Sequence, residues 1–161
     1  EICACLVGSE MCIRDRQLSV HSITRKYYAI VHNQFNNTEG VVDAPIGRNP
    51  SDRKKMAVDK KNGKRAVTHY RVLEQFGKFS YIECQLETGR THQIRVHMAS
   101  IGHPLLGDDV YGSGKSPFNL CGQTLHAGVL GFIHPTTKEY VEYSADLPEY
   151  FQKVISRLRN S

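Results

Sequence analysis

A change of hydrophobic period after Leu86 is the feature that most constrains the fold of this chain. Before that point, Tyr81–Leu86 alternates between two faces, which is the period of a β-strand. After it, apolar residues recur at helical spacing until Gly102, which predicts a helix of about three turns with Thr91 as its N-cap. The apolar positions of this helix are Ile94, Met98 and Ile101.

Further strand signals surround this segment. Lys26–Val31 is aromatic and β-branched, which predicts a buried strand. Ala66–Leu73 and Tyr81–Leu86 flank a Gly77-Lys78 turn and predict a hairpin. The remaining predicted elements are an extended basic connector over residues 41–55, a closing hairpin of Thr124–Phe132 and Glu139–Tyr143, and a final amphipathic helix over Leu147–Arg159. We therefore predict an α+β fold with a mixed, mainly antiparallel sheet and flanking helices.

Composition limits the class of protein. The chain has 161 residues, of which 40% are hydrophobic and 23% charged, so one domain with a single modest core is expected. No apolar run reaches the roughly 18 residues of a membrane span, which predicts a soluble protein without a membrane partner. Five cysteines without metal-ligand spacing favour the reducing cytoplasm. The net charge of +5 favours a polyanionic partner.

The first sixteen residues differ in character from the rest. A signal peptide is excluded because Glu1 precedes the apolar residues while Arg14 and Arg16 follow them. The run from Gly8 to Asp15 resembles the translation of a transposase adapter used in preparing sequencing libraries. We therefore predict that residues 1–16 are a non-native extension and that residues 17–161 are the native part, cut open upstream of Gln17.

Arg95 is the most informative polar residue of the predicted helix. It follows the core-facing Ile94 and shares a side with His92 and Met98. Two interpretations are open: an exposed arginine whose stem covers the core, or a buried guanidinium that requires an anionic partner. Asp108 and Asp109 also allow two interpretations, a hydrolytic carboxylate pair or, preferably, a turn cap.

No metal site is predicted. His92 and His97 are five residues apart, so they cannot form the i, i+4 pair of a helical zinc site. Gly114-Lys115-Ser116 lacks the earlier glycine of a phosphate-binding loop, because Asp109 occupies that position. Tyr28, within the first strand, is on its own a core residue more often than a catalyst.

Together these segments resemble the RluA-type family of RNA pseudouridine synthases. LETGRTHQIRVHMASIGHPLLGD resembles the third motif of the family, and Lys26, Tyr28 and Ala29 match its K-x-Y-x-A motif. Pro45-Ile46-Gly47-Arg48 is similar to the connector of the family. Further blocks stand in the family's order and spacing: Leu125-His126-Ala127, Phe132-x-His134-Pro135 and Leu147-Pro148.

The resemblance implies an enzyme that converts uridine in RNA to pseudouridine without a cofactor. An aspartate nucleophile attacks the ribose-base unit, Tyr28 packs on the target base and helps to remove the C5 proton, and Arg95 pairs with the aspartate. The base must leave the RNA stack to reach such a site. The residues predicted to contact RNA are Lys26, Arg48, Arg53, Lys54, Lys55, Arg90, Thr91, His92 and Gln93.

One part of the family pattern is missing. Nothing between Glu1 and Lys26 matches the H-R-L-D-x-x-T-S-G block that carries the nucleophile, and Asp15 is not assigned that role. The resemblance therefore implies that residues 17–161 are the C-terminal portion of the catalytic domain, and we expect these 161 residues alone to be inactive because the nucleophile is missing. We also expect them to be poorly soluble, because a strand edge that pairs with the missing part would be exposed. Ribosomal large-subunit RNA is the expected partner, transfer RNA the alternative, and a monomer the expected state. A non-catalytic RNA-binding protein and, more weakly, a metal- or carboxylate-dependent hydrolase are the competing hypotheses.

Overall fold

The computed structural model describes residues 23–112 and 116–161, so the predicted extension over residues 1–16 lies outside the described part. The elements in chain order are β1 (Thr24–His32), β2 (Glu39–Asp43), β3 (Ile46–Arg48), β4 (Met56–Val58), β5 (Val67–Phe76), β6 (Phe79–Leu86), α1 (Gln93–Ser100), β7 (Leu125–Ile133), β8 (Tyr140–Ser144) and α2 (Glu149–Arg159). This arrangement confirms the predicted α+β class. Neither helix is long and apolar enough to cross a membrane within the residues described.

Six strands form one antiparallel sheet in the order β2-β5-β6-β1-β7-β8. Both predicted hairpins are present. The first turns at Gly77, whose φ of 56° lies in the left-handed region that glycine adopts without steric cost. The second joins β7 to β8 through a turn that contains residues 135–138. The predicted strand at Lys26–Val31 is the centre of β1, which pairs with β6 and β7.

The two faces of this sheet are covered by different elements. Ala29 and Val31 of β1 pack with Ile94 and Met98 of α1. Ile30, on the alternate face of β1, packs instead with residues of α2. Those α2 residues are Phe151, Val154, Ile155 and Leu158. The predicted amphipathic helix at the C-terminal end is therefore confirmed, and it covers the face opposite α1.

Helix α1 differs from its prediction in length and in its N-cap. It has 8 residues, about two turns, and Thr91 does not cap it. His92 stands at the N-cap with a left-handed φ of 54° and no side-chain cap hydrogen bond. The Gln93 side chain instead fixes the turn before the helix, because its Oε1 accepts the backbone N–H of Arg90 at 2.9 Å. Gly102, at φ 85°, follows the C-terminal end as predicted.

The predicted extended connector contains more regular structure than expected. β3 and β4 pair as an antiparallel two-stranded ribbon. The chain then returns, and the backbones of Ile46 and Lys64 exchange two hydrogen bonds of 2.9 Å. We call residues 46–65 the basic flap. It packs beside α1 through a small apolar cluster that includes Ile46, Ala66 and Val96.

Candidate active site and nucleic-acid interface

Arg95 is buried and binds a carboxylate along one edge of its guanidinium. Its Nε and Nη2 donate to Oδ2 and Oδ1 of Asp108 at 2.8 and 2.9 Å. The exposed fractions of the two side chains are 10% and 0%. The interpretation of Arg95 as an exposed surface residue is therefore wrong. Asp108 is an anionic partner within the chain and satisfies the buried charge, while the pairing of Arg95 with the nucleophilic aspartate stays a prediction.

Asp108 also confirms the turn-cap interpretation. Its Oδ1 accepts the backbone N–H groups of Val110 and Tyr111, both at 3.0 Å. Burial alone would raise the pKa of this carboxyl, but the hydrogen bonds from Arg95 and the two amides outweigh it and lower the pKa. Asp109 is exposed and does not form a joint carboxylate site with it. The carboxylate of Asp108 is thus ionised and has a structural role.

The aromatic ring of Tyr111 lies against the face of the Arg95 guanidinium. The Cζ of Arg95 lies 4.9 Å from the centre of the Tyr111 ring, within cation–π range. The Tyr111 hydroxyl lies 2.8 Å from Nδ1 of His92 and accepts the backbone N–H of Met56 at 3.0 Å. The hydrogen bond with Asp108 raises the pKa of Arg95 further, so the arginine is a permanent cation.

A second group of buried polar side chains joins Gln93 and His97 of α1 to Thr68 of β5. Nε2 of Gln93 donates to the Val67 carbonyl and to Oγ1 of Thr68, both at 3.0 Å. The Thr68 hydroxyl lies 2.8 Å from Nδ1 of His97, whose Nε2 lies 2.8 Å from the Ala44 carbonyl. One arrangement satisfies all these atoms: Thr68 donates to Nδ1, and a neutral His97 donates from Nε2. Burial lowers the pKa of His97, in agreement with that neutral form.

This network corrects one predicted RNA contact. Gln93 is only 2% exposed, and its Oε1 also accepts the hydroxyl of Thr88 at 2.8 Å. A side chain with all of its amide atoms engaged inside the protein is not free to bind a phosphate. Gln93 therefore fastens α1 to β5, while its neighbours Thr91 and His92 are exposed.

Tyr28 lies in a different polar group on β1. A Cβ on Gly128 of the adjacent strand would overlap the Tyr28 ring, so glycine is needed there for the ring to lie flat on β7. Glu83, opposite Tyr28 on β6, accepts from Arg71 at 3.1 Å and lies 3.6 Å from Nζ of Lys26. Burial and the nearby Glu83 carboxylate raise the pKa of Tyr28, so its hydroxyl stays protonated.

The two predicted catalytic residues are thus placed in separate surroundings. Tyr28 packs with the cluster that contains Ile30 and α2, whereas α1, which carries Arg95, packs with Ala29. The polar partners of the two residues also differ: Arg95 binds Asp108 and lies against the Tyr111 ring, whereas the Tyr28 hydroxyl lies near Glu83.

The predicted cations form an exposed surface around the flap. Arg48 donates from Nη1 to the Arg53 carbonyl at 3.0 Å, and Nε of Arg90 donates to the Arg65 carbonyl at 3.0 Å. The latter contact joins the start of α1 to the end of the flap. Residues 48–65 contain eight basic and two acidic side chains, a net charge of +6. Lys26 lies apart from this surface, on the sheet face beside Glu83.

Sequence reasoning missed several contributors to these sites. The basic residues of the flap that were not predicted are Lys60, Lys61, Lys64 and Arg65, and simple counting of charge would have found them. Glu83 and Tyr111 gave no local signal, because each acts across strands or loops. No cluster of three or more histidine, cysteine, aspartate or glutamate side chains suited to a metal ion occurs within residues 23–112 and 116–161.

Comparison with known proteins agrees with the motifs and with the fold. A sequence profile described as RNA pseudouridylate synthase matches residues 12–100. The uncharacterized RNA pseudouridine synthase YlyB of Bacillus subtilis is 56% identical over 146 residues, covering 90% of this chain and 47% of that protein. Ribosomal large subunit pseudouridine synthase D of Zymomonas mobilis is 48% identical over 150 residues, covering 88% and 47%.

Solved structures give the same result. Human RNA Pseudouridylate Synthase Domain Containing 4 superposes with a TM-score of 0.72 at 27% identity, over 94% of this chain and 69% of that chain. Domain Containing 1 gives a TM-score of 0.70 at 26% identity, over 96% and 74%. The chain belongs to the RNA pseudouridylate synthase family, an isomerase family, and spans about half the length of the curated relatives it matches.

Proposed function

We propose that the protein containing this chain isomerises uridine to pseudouridine in structured RNA, with ribosomal large-subunit RNA as the first expected substrate and transfer RNA as the alternative. In this reaction the bond from ribose C1′ to N1 breaks, a bond from C1′ to C5 forms, and the C5 proton is released while N1 gains one. The reaction needs no oxidant or reductant. Family membership and the name of the Zymomonas mobilis relative support the proposal.

The single observation that carries the proposal is the geometry of Arg95. A guanidinium has five N–H donors, and Asp108 occupies only the edge formed by Nε and Nη2. The edge formed by Nη1 and the second Nη2 hydrogen remains suited to a second carboxylate. We infer that Asp108 orients the guanidinium so that this second edge binds the nucleophilic aspartate and keeps it ionised.

Asp108 itself is unsuited to be the nucleophile. It is 1% exposed, and its oxygens accept four hydrogen bonds, from Arg95 and from two backbone amides. Attack on ribose would break these contacts and leave the Arg95 cation without its anion. Because no segment of this sequence matches the H-R-L-D-x-x-T-S-G block, we propose that the nucleophile is an aspartate outside these 161 residues and that the chain alone has no turnover.

The flap supplies the proposed RNA surface. Its charge of +6 over residues 48–65 suits a phosphate backbone, whose neutralisation releases counterions and makes binding salt-dependent. The proposed phosphate contacts on the flap are Arg48, Arg53, Lys54, Lys55, Lys60, Lys61, Lys64 and Arg65, and the adjoining proposed contacts are Arg90, Thr91 and His92. Lys26 is proposed to contact RNA on the sheet face beside Tyr28.

Release of tritium from RNA labelled at C5 of uridine tests the proposal. The longer protein is expected to release tritium, and these 161 residues alone are expected to bind RNA without release. Release by the short chain would refute the external nucleophile. No release by the longer protein from either ribosomal or transfer RNA would refute the activity.

A non-catalytic RNA-binding protein is the second candidate, because the flap is basic without any need for the buried ion pair. The two candidates differ at Arg95. In the longer protein, Arg95→Ala should abolish tritium release while leaving RNA affinity unchanged if the protein is the enzyme. Changes in affinity alone, in a protein without turnover, would favour the binding function.

A further inference from the structure

Tyr111 contacts three parts of the site at once. Its hydroxyl accepts the backbone N–H of Met56, the first residue of β4 in the basic flap, at 3.0 Å. The same hydroxyl lies 2.8 Å from Nδ1 of His92, which is the N-cap residue of α1. Its ring lies against the guanidinium of Arg95, at 4.9 Å from Cζ to the ring centre. One side chain therefore joins the flap, the start of α1 and the catalytic arginine.

One of these hydrogen bonds has a fixed direction. The backbone N–H of Met56 can only donate, so the phenol oxygen accepts from it. The contact with His92 is compatible with two directions: the phenol hydrogen points at an unprotonated Nδ1, or the phenol oxygen accepts a hydrogen carried by Nδ1. Burial and the Arg95 cation lower the pKa of His92, which supports the neutral form.

The apolar side of the ring strengthens the same junction. Tyr111, Met56 and Val58 pack around the cluster formed by Ile46 and Val96. The flap therefore meets α1 through apolar contacts, and the Tyr111 hydroxyl adds a directional hydrogen bond to the flap backbone. Apolar packing is non-directional, whereas a hydrogen bond to one amide specifies which residue of β4 lies beside Arg95.

We propose that Tyr111 is a positioning residue that holds the basic flap in register with the Arg95–Asp108 pair, so that RNA phosphates bound to the flap have a fixed position relative to Arg95. The inference depends on the proposed function for its consequence in RNA binding. The attachment of the flap itself depends only on the contacts of Tyr111 and can be tested without RNA.

Tyr111→Phe is the appropriate test, because it keeps the ring over Arg95 and in the apolar cluster while removing both hydrogen bonds. We expect amide hydrogen exchange at Met56 to become about tenfold faster, the factor that corresponds to a lost hydrogen bond of about 1.4 kcal/mol. Exchange at Phe132, in the distant β7, should not change. Tyr143→Phe, an exposed tyrosine on β8, is the matched control and should leave both amides unchanged.

Binding of a short hairpin RNA to the same 161 residues gives the second measurement. We expect Tyr111→Phe to weaken this binding severalfold, and Tyr143→Phe to leave it unchanged. Unchanged exchange at Met56 would overturn the inference, and so would faster exchange at Met56 with unaltered RNA affinity. If the unmodified chain binds no RNA, the proposed RNA surface is wrong, and exchange at Met56 still decides whether Tyr111 holds the flap.

Discussion

The two faces of the central sheet are stabilised in different ways. On the α1 side, the structure buries polar groups that satisfy one another: Thr68, Gln93, Arg95, His97 and Asp108. On the α2 side, the buried residues form an apolar cluster around Phe151. The ion pair between Arg159 and Glu74 on that side lies at the surface, with side chains 55% and 35% exposed.

The α1 side carries a desolvation cost that the α2 side does not, because it buries the charged pair Arg95–Asp108. A buried ion pair is no more stabilising than well-packed apolar residues would be, because desolvation offsets the attraction of the charges. The apolar α2 side shows that this chain can bury a helix without such pairs. A buried, doubly hydrogen-bonded arginine on the α1 side is therefore not needed simply to bury a helix, which agrees with the role proposed for Arg95.

The largest change in the free energy of unfolding is expected from a substitution at Asp108, on the α1 side. Asp108→Asn removes the anion and leaves the Arg95 cation buried, so we expect the free energy of unfolding to fall by about 3–5 kcal/mol. Urea denaturation measures this loss. Asp109→Asn, the adjacent and exposed residue, is the control and should change stability by less than about 0.5 kcal/mol. Equal effects of the two substitutions would contradict the account.

The next effect tests the polar network around Thr68. Thr68→Val keeps the shape of the side chain but removes one of the two acceptors of the Gln93 Nε2 group and leaves Nδ1 of His97 without its donor. We expect a loss of about 1–3 kcal/mol in unfolding free energy, the cost of an unsatisfied buried group. Thr136→Val, at an exposed position in the β7–β8 turn, provides the control. A neutral result at Thr68 would show that the network contributes little.

The pH dependence of stability tests the buried His97 on the α1 side. Its pKa is lowered in the folded state, so the stability it contributes is fully present above its unfolded pKa of about 6.5 and is lost as the pH falls through the lower folded value. Thermal unfolding should therefore show stability decreasing below about pH 6.5. The decrease should be smaller in His97→Asn, although His32 and His92, whose pKa values are also lowered, retain part of it. The same slope in both proteins would contradict the neutral, buried His97.

The smallest effect is expected on the α2 side. Arg159→Gln removes the surface pair with Glu74, and solvent screens charges at this exposure. We therefore expect only a small change in unfolding free energy, which decreases further at high salt. A loss as large as that of Asp108→Asn would remove the distinction between the two sides.

Sequence alone predicted most of the fold, because local patterns encode it. The period of two in Tyr81–Leu86 identified β6, and the Gly77-Lys78 turn identified its hairpin with β5. The N-cap of α1 was mispredicted at Thr91, because the helix begins one residue later and His92 is its N-cap in a left-handed conformation. The Gln93 side chain at the start of α1 is bonded to Val67 and Thr68 of β5, a tertiary contact that local propensity does not contain.

The candidate site was predicted only in part, for a related reason. The position of Arg95 on α1 indicated that a buried guanidinium would need an anion, but its partner is 13 residues away along the chain, in an irregular loop. The turn-cap interpretation of Asp108 identified half of its role. Tyr111 and Glu83 act on partners that only the folded chain brings near, so no motif signalled them.

The central claim is that the Arg95 guanidinium, oriented by Asp108, acts in uridine isomerisation. Tritium release and RNA affinity measured on Arg95→Lys and on Arg159→Lys in the longer protein test it most directly. Because lysine cannot bind two carboxylates along two edges, we predict that Arg95→Lys lowers kcat by about 10²–10³ with unchanged RNA affinity, and that Arg159→Lys changes neither. Equal turnover of the two variants, in protein shown to be folded, would contradict the account.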